Sequence, residues 1–256
     1  MRAAFASLDS SVNTLCFSPN GHFLLSGDSG GGVRIWSLRD GSSKTLIHNA
    51  HNIFSVAFSP DGRHVASLDF HGWLRIWDAR SGWLLDSWKG HTHGAFCMAF
   101  SPDGKGLVSG GEDKTLRYWD VSSLLLAGKI GRGRKISGIP GQKFQQIRTF
   151  EGHAVRNFLT WNFLTVQLIS YFQSMIRSVG FSPDHKWVVT GSLDKTLRIW
   201  DPYTATWQCT LHGDNVYTAA VDFNSAGKYL ACGGNCQVSL WKFSQSCRES
   251  IDISAD

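Results

Sequence analysis

Several kinds of chemistry are missing from this sequence. No nucleophile elbow, phosphate-cradling loop or cluster of metal-ligating side chains is read along its 256 residues, so an enzyme would lack its usual parts. Its six cysteines (Cys16, Cys97, Cys209, Cys232, Cys236 and Cys247) form no repeating pairs, and Cys232 with Cys236 supplies too few ligands for a tetrahedral zinc site. They read as small buried hydrophobes in a reducing compartment. Met1 to Ser10 lacks the apolar core of a secretory signal. A net charge of +5, largely from one stretch, falls short of a basic stripe and argues against direct nucleic-acid binding. The expectation is a soluble, non-enzymatic protein of the nucleus or cytoplasm that is not secreted. It should need no cofactor, metal, small-molecule substrate or membrane, and its partners should be proteins.

Tryptophan is abundant instead: 11 residues, in a chain whose 42% apolar content can fill a sizeable core. Five tryptophans recur in one setting: Val33-Arg34-Ile35-Trp36, Leu74-Arg75-Ile76-Trp77, Leu116-Arg117-Tyr118-Trp119, Leu197-Arg198-Ile199-Trp200 and Val238-Ser239-Leu240-Trp241. They lie 41, 42, 81 and 41 residues apart. Upstream of each is a Phe-Ser-Pro-Asp-Gly-like turn: Phe17 to Gly21, Phe58 to Gly62, Phe100 to Gly104, Phe181 to His185, and a weaker Phe223 to Gly227.

One unit can be read physically. Phe96 to Phe100 suits a buried strand. Ser101-Pro102-Asp103-Gly104 reverses the chain, because proline presets φ and Asp-Gly favours a tight turn. Gly106 to Gly110 begins a second strand, Glu112-Asp113-Lys114 turns again, and Thr115 to Trp119 is a third. A more exposed fourth follows, such as Trp83 to Trp88. No such four-stranded sheet can bury both faces alone, so the array is the stable unit.

This pattern resembles the WD40 repeat family over nearly the whole chain. The resemblance implies an all-β WD40 β-propeller across 1–256 with five recognisable blades. It also implies a hydrogen-bonded network in each blade, joining the His of a Gly-His pair, a strand Ser or Thr, a turn Asp and the Trp. The third repeat offers His91, Ser109, Asp113 and Trp119, and the fourth offers His153, Thr190, Asp194 and Trp200. At the Asp position the first repeat has Gly30, the second His71, and the fifth Asn235, with Ala231 at the Ser position. Blades one, two and five should then be less firmly held, each short of a bond worth about 1 kcal/mol. Ser, His and Asp are also the residue types of a hydrolase triad, but a trio recurring in a periodic frame reads as scaffold. Seven blades are the common case in the family. Five leaves open a truncated seven-bladed relative, a five-bladed ring or an open arc. Residues before Val12 and Cys247 to Ile253 are the candidate closing strands.

Two unlike segments fill the double interval from Trp119 to Trp200. The first, 121–146, is a basic, glycine-rich loop (Lys129, Arg132, Arg134, Lys135, Lys143) with no acid from Val121 to Phe150. It reads as a solvated linker. Nuclear import or an acidic partner is the alternative, and Ser137 is a phosphorylation candidate that would weaken the local positive field. The second, at about 154–175, is apolar and aromatic (Phe158, Trp161, Phe163, Tyr171, Phe172). His91 precedes Phe100 by 9 residues and His153 precedes Phe181 by 28, and removing the 19 residues Val155 to Gln173 restores 9. The piece opens on Val-Arg, which GTACGT encodes, and ends on Tyr-Phe-Gln, which TATTTCCAG encodes. It therefore reads as translated intron sequence. A genuine insertion packed on the rim is the alternative, and transcript sequencing separates the two. As a membrane span it is interrupted by Asn157, Asn162, Gln167 and Gln173.

The order of landmarks narrows the resemblance. A blade ends in Val121-Ser122-Ser123, the basic loop follows, and Ile147-Arg148-Thr149-Phe150-Glu151-Gly152-His153 comes next. This order is similar to the last five blades of the C-terminal propeller of fungal Tup/Groucho-type general transcriptional corepressors. It implies an interaction scaffold for transcription factors and chromatin-modifying partners. The alternative is a WD40 adaptor of another pathway, either a ubiquitin-ligase substrate receptor or a G-protein-β-like signalling scaffold. Phe70, Trp73, Trp187 and Tyr217 are the large residues at strand and loop ends that suit partner contact, and no partner site is assigned among them.

Overall fold

The computed structural model describes residues 10–47, 51–123, 146–151, 175–212, 218–234, 237–243 and 251–252. Within them the strands form five four-stranded antiparallel sheets, the WD40 propeller blades that the repeat implies. Blade one is β1 (Val12–Phe17), β2 (Phe23–Asp28), β3 (Val33–Ser37) and β4 (Ser43–Ile47). Blade two is β5 (Ile53–Phe58), β6 (His64–Asp69), β7 (Trp73–Asp78) and β8 (Leu84–Lys89). Blade three is β9 (Ala95–Phe100), β10 (Gly106–Gly111), β11 (Thr115–Asp120) and β12 (Gln146–Glu151). Blade four is β13 (Ile176–Phe181), β14 (Val188–Ser192), β15 (Thr196–Asp201) and β16 (Thr206–His212). Blade five is β17 (Ala220–Phe223), β18 (Tyr229–Gly234), β19 (Gln237–Lys242) and β20 (Ile251–Asp252). The chain divides into two compact units, Met1–Ala95 with Ser123–Phe144, and Phe96–Ser122 with Gln145–Asp256.

The first turn of blades two and three is built by a Ser-Pro-Asp-Gly string, which reads Ser-Pro-Asn-Gly in blade one and Ser-Pro-Asp-His in blade four. In blade two, Ser59 Oγ donates to Asp61 Oδ1 (2.6 Å) and accepts from the backbone N–H of His64 (3.0 Å), which fixes the reversal into β6. Gly62 adopts φ 68°, a left-handed conformation that glycine takes without steric cost. In blade five Asn224 replaces the Ser-Asp pair, its Oδ1 accepting from the N–H groups of Lys228 (2.8 Å) and Tyr229 (2.9 Å).

Within each unit, adjacent blades hide apolar faces against one another. In the first unit, Leu25, Val33 and Ile35 of blade one pack with Val56, Phe58, Val65 and Trp77 of blade two. In the second, Val108, Leu116 and Phe150 meet Ile176, Val179, Val188 and Trp200, and Val189, Leu197 and Ile199 meet Val221, Phe223, Leu230 and Trp241. Fully burying such a side chain contributes about 1.5–3 kcal/mol, so the repeated apolar ladder is the main stabilising term.

Strand spacing locates the interruption in the repeat. Residues 48–52 and 90–94, five each, join the fourth strand of one blade to the first of the next, whereas 152–175 does so between β12 and β13 with 24. The excess of 19 equals the length of Val155 to Gln173. Most of the basic loop (124–145, with Ser137) and all but the last residue of the apolar segment (152–174, with His153) lie outside the described residues. Met175 is described and buried. One expectation is corrected: Ile251 and Asp252 pair with β19 to complete blade five itself, so this stretch is its fourth strand. Among the described residues, no helix is long and apolar enough to cross a membrane.

Candidate functional site

The recurrent tryptophan is a lock between the second and third strands. Trp36 Nε1 donates to Ser26 Oγ (2.8 Å), Trp119 to Ser109 (2.9 Å) and Trp200 to Thr190 Oγ1 (2.8 Å). The register explains the reach. Ser26 pairs with Arg34 and Leu24 with Trp36, so hydroxyl and indole lie two steps apart on one face. In blade two, Ser67 Oγ is buried with no hydrogen-bond partner.

Blade five departs from the expected alignment. Its hairpin is one residue shorter: Leu230 pairs with Trp241 and Cys232 with Ser239. The hydroxyl position is therefore held by buried Cys232 and not by Ala231, and Trp241 Nε1 is buried without a partner. Cys232→Ser should supply the acceptor and raise stability by about 1 kcal/mol. Urea melts check this, with no gain expected when Trp241 is already Phe.

The expectation that blades one and two lack their carboxylate is overturned. Neither Gly30 nor His71 needs to supply it, because Asp28 and Asp69, each two residues after the strand serine, do so from the end of β2 and β6. Asp69 Oδ1 accepts from the N–H groups of His71 and Trp73 (both 3.0 Å), while Oδ2 meets Arg75 Nη1 at 2.7 Å. Asp28 accepts from Gly32 N–H (2.7 Å) and pairs with Arg34 at 2.7 Å. In blade three the turn residue Asp113 does the same work. It accepts from Thr115 N–H (3.2 Å) and Oγ1 (2.8 Å) and meets Arg117 Nη2 at 3.1 Å. Asp194 accepts from Thr196 N–H (3.0 Å) and Oγ1 (2.6 Å) in blade four. In blades one to four, then, a carboxylate fastens the hairpin between the second and third strands.

The remaining sequence candidates fall as follows. His91 is buried at the end of the first unit, where its N–H and that of Gly90 donate to Gly72 O (3.2 and 2.8 Å). Ser109, Asp113 and Trp119 share one hairpin of the second unit. Ser109 and Thr190 are both 0% exposed, and each hydroxyl accepts an indole N–H, so neither is presented as a nucleophile. The reading of no nucleophile elbow passed over one G-x-S-x-G string, Gly27-Asp28-Ser29-Gly30-Gly31, but Ser29 sits in a β-hairpin turn and Asp28 is committed to Arg34. Burial pushes the Cys97 thiol up to about 12, which keeps it a neutral core group. Among the described residues no group of three or more His, Cys, Asp or Glu side chains could hold a metal ion.

One buried group makes stability pH-dependent. Burial holds the His64 imidazole below its ordinary value, against the opposing pull of Asp61 and Asp78. A depressed folded value means the unfolded chain binds the proton first. Stability from neutral His64 is thus present above the ordinary histidine range and lost as pH falls through and below it. His64→Gln should flatten the melting temperature between about pH 7 and 5; an unchanged slope contradicts this.

Of the proposed contact residues, Phe70 (42% exposed) and Trp73 (36%) flank the β6–β7 turn. The Phe70 ring lies near Phe54 and His71, and the Trp73 ring lies under Arg75. Trp187 is partly buried against the core between blades four and five, which makes it a packing residue. Tyr217 lies outside the described residues. Sequence reasoning missed Trp83, Tyr203 and Trp207, all more than half exposed at the edge formed by the last strands. Their only signal was position just before or within a fourth strand.

Comparison with known proteins agrees with this architecture. The WD domain, G-beta repeat profile matches residues 5–37, 42–78, 82–120, 165–201 and 205–242. The fourth match starts at 165, whereas the strand that should open it, β12, lies at 146–151, so the profile crosses the interruption. The chain is 31% identical over 115 residues to the transcriptional repressor rco-1 of Neurospora crassa, covering 43% of this chain and 16% of that protein. It is 28% identical over 106 residues to the transcriptional corepressor LEUNIG_HOMOLOG of Arabidopsis thaliana (39% and 13%). It is 26% identical over 94 residues to polyadenylation factor subunit 2 of Candida albicans (36% and 17%). The similar segment thus spans less than a fifth of each relative.

Proposed function

Because the chain belongs to the WD40 repeat family, whose domains generally serve as non-catalytic protein-interaction scaffolds, we propose that it is a corepressor-like scaffold for transcription factors and chromatin-modifying partners. The observation that carries the reading is the repeat itself: sheets fastened at buried carboxylates and indoles, with sequence-variable turns between them. Fixed strands with variable loops suit recognition, because loops held by a rigid frame lose little entropy on binding. In this reading His91, Ser109, Asp113, Trp119, His153, Thr190, Asp194 and Trp200 serve the frame. The repressor assignment is supported by the names of two relatives and by the landmark order around the basic loop. Affinity purification of the full chain from its own cells tests it. Transcription factors and histone modifiers are expected. Recovery of RNA-processing subunits, cullin adaptors or signalling subunits in their place would sink it.

A further inference from the structure

Between blades one and two lies a cleft of about 350 Å³. Its apolar wall is Phe23, Ile35, Phe58 and Ala79. The repeat supplies an internal control, because blades four and five build the same place. Ala79 N–H donates to Arg63 O at 2.8 Å, and Phe243 N–H donates to Lys228 O at 2.8 Å. A Cβ on Gly62 would sit 3.6 Å from Pro19 Cδ, and one on Gly227 would sit 3.4 Å from Pro183 Cδ. By repeat position, Phe23, Ile35, Phe58 and Ala79 therefore correspond to Trp187, Ile199, Phe223 and Phe243. In that second setting Trp187 and Phe243 pack against the core, and the Phe243 ring meets Phe223 edge-on at 5.2 Å and 84°. Between blades three and four, Tyr118 stands at the Ile35 position and packs into the core, its ring lying over Gly106. The cleft between blades one and two is open because smaller side chains stand where rings stand elsewhere, most plainly Ala79.

The charge at the mouth is also particular. The charged residues lining the cleft are Lys44 and Arg80. Lys44 Nζ donates to Arg80 O (3.0 Å), which fixes the ammonium at the rim. Gly82, at φ 76°, makes room for it, since a Cβ there would lie 2.5 Å from Lys44 Cε. The acids of the adjoining turns are hydrogen-bonded within their own loops: Asp40 accepts from Ser42, Asp61 from Ser59 and Arg63 N–H, and Asp78 from Ser81 N–H.

We propose that this cleft is a docking site for an extended peptide segment of a partner protein, which inserts one aromatic side chain against Phe58 and sets a neighbouring carboxylate on Lys44 and Arg80. The guest ring takes the place that Phe243 fills between blades four and five. An aromatic anchor in a preformed pocket with a charge-assisted contact at its rim is the pattern of an interface hot spot. The inference rests on the scaffold reading only in that the occupant is a protein segment.

The test pans a phage-displayed library of random dodecapeptides on the full chain. Enriched peptides should place Phe, Tyr or Trp within two positions of Asp or Glu. Ala79→Phe, which fills the cleft as Phe243 does, should weaken them at least about tenfold while the melting temperature holds or rises. Lys44→Gln should weaken the acidic peptides and leave their Asn or Gln versions unchanged. Absence of binders, enrichment without the ring–acid pairing, or full binding by Ala79→Phe overturns the proposal. If Ala79→Phe fails to fold, the Lys44→Gln comparison decides it. The scaffold reading fails separately, through loss of copurifying proteins from the unaltered chain.

Discussion

Asp69→Ala is expected to lower the unfolding free energy by about 3–5 kcal/mol, the cost of stranding one member of a buried ion pair. The carboxylate is 0% exposed, meets Arg75 at 2.7 Å and accepts from two backbone N–H groups, so its removal leaves three donors uncompensated. Asp69→Asn keeps an acceptor but loses the charge and should cost less. Asp113→Ala should also cost less, because Arg117 there is more exposed and its contact is longer, at 3.1 Å. Urea denaturation of the three variants ranks them. Equal costs for Asp69→Ala and Asp113→Ala would mean that burial of the pair does not set its weight.

Trp200→Ala should cost about 3–5 kcal/mol through the cavity left by the ring. Trp200 is 1% exposed, donates to Thr190 Oγ1, and is met edge-on by Phe150 at 5.6 Å. Packing and hydrogen bonding are separable here. Trp200→Phe keeps much of the volume and removes the indole donor to the Thr190 hydroxyl. Thr190→Val removes the hydroxyl acceptor of the indole N–H instead. Each single change should cost about 1–3 kcal/mol, and the double variant should cost clearly less than their sum. Simple additivity would show that the 2.8 Å contact carries no coupling.

Strand positions were legible in the sequence because a forty-residue repeat samples the same physics five times. The Phe-Ser-Pro-Asp-Gly turn and the Arg-x-Trp strand each recur, so a single ambiguous copy is settled by the others. What escaped were one- and two-residue offsets. Asp28 and Asp69 lie two positions earlier than Asp113 and Asp194 relative to the tryptophan, yet a longer reach from the strand end fastens the same hairpin. Counting columns missed this, because a side-chain carboxylate can serve one hairpin from either position. The one-residue shortening at blade five moved Cys232 into the hydroxyl position, since a strand shifted by one step exchanges its faces. The cleft at Ala79 carried no signal at all, because an alanine after a strand is unremarkable until the equivalent Phe243 is seen filling the same place. The paired Ser109 and Trp119, and Thr190 and Trp200, were legible from the resemblance. Exposed Trp207 and Tyr203 were not, since aromatic residues near a strand are as often core as surface.

One four-stranded sheet, rebuilt along the chain, owes its stability to burial against its neighbours. Hydrogen exchange read by mass spectrometry tests it most directly, because protection follows backbone bonding strand by strand. Protection maxima are expected at β2, β6, β10, β14 and β18, recurring at the spacing of the tryptophans with one doubled interval, with fast exchange in the outer strands. A profile without that period, or one with its slowest amides in β4 and β8, would contradict it.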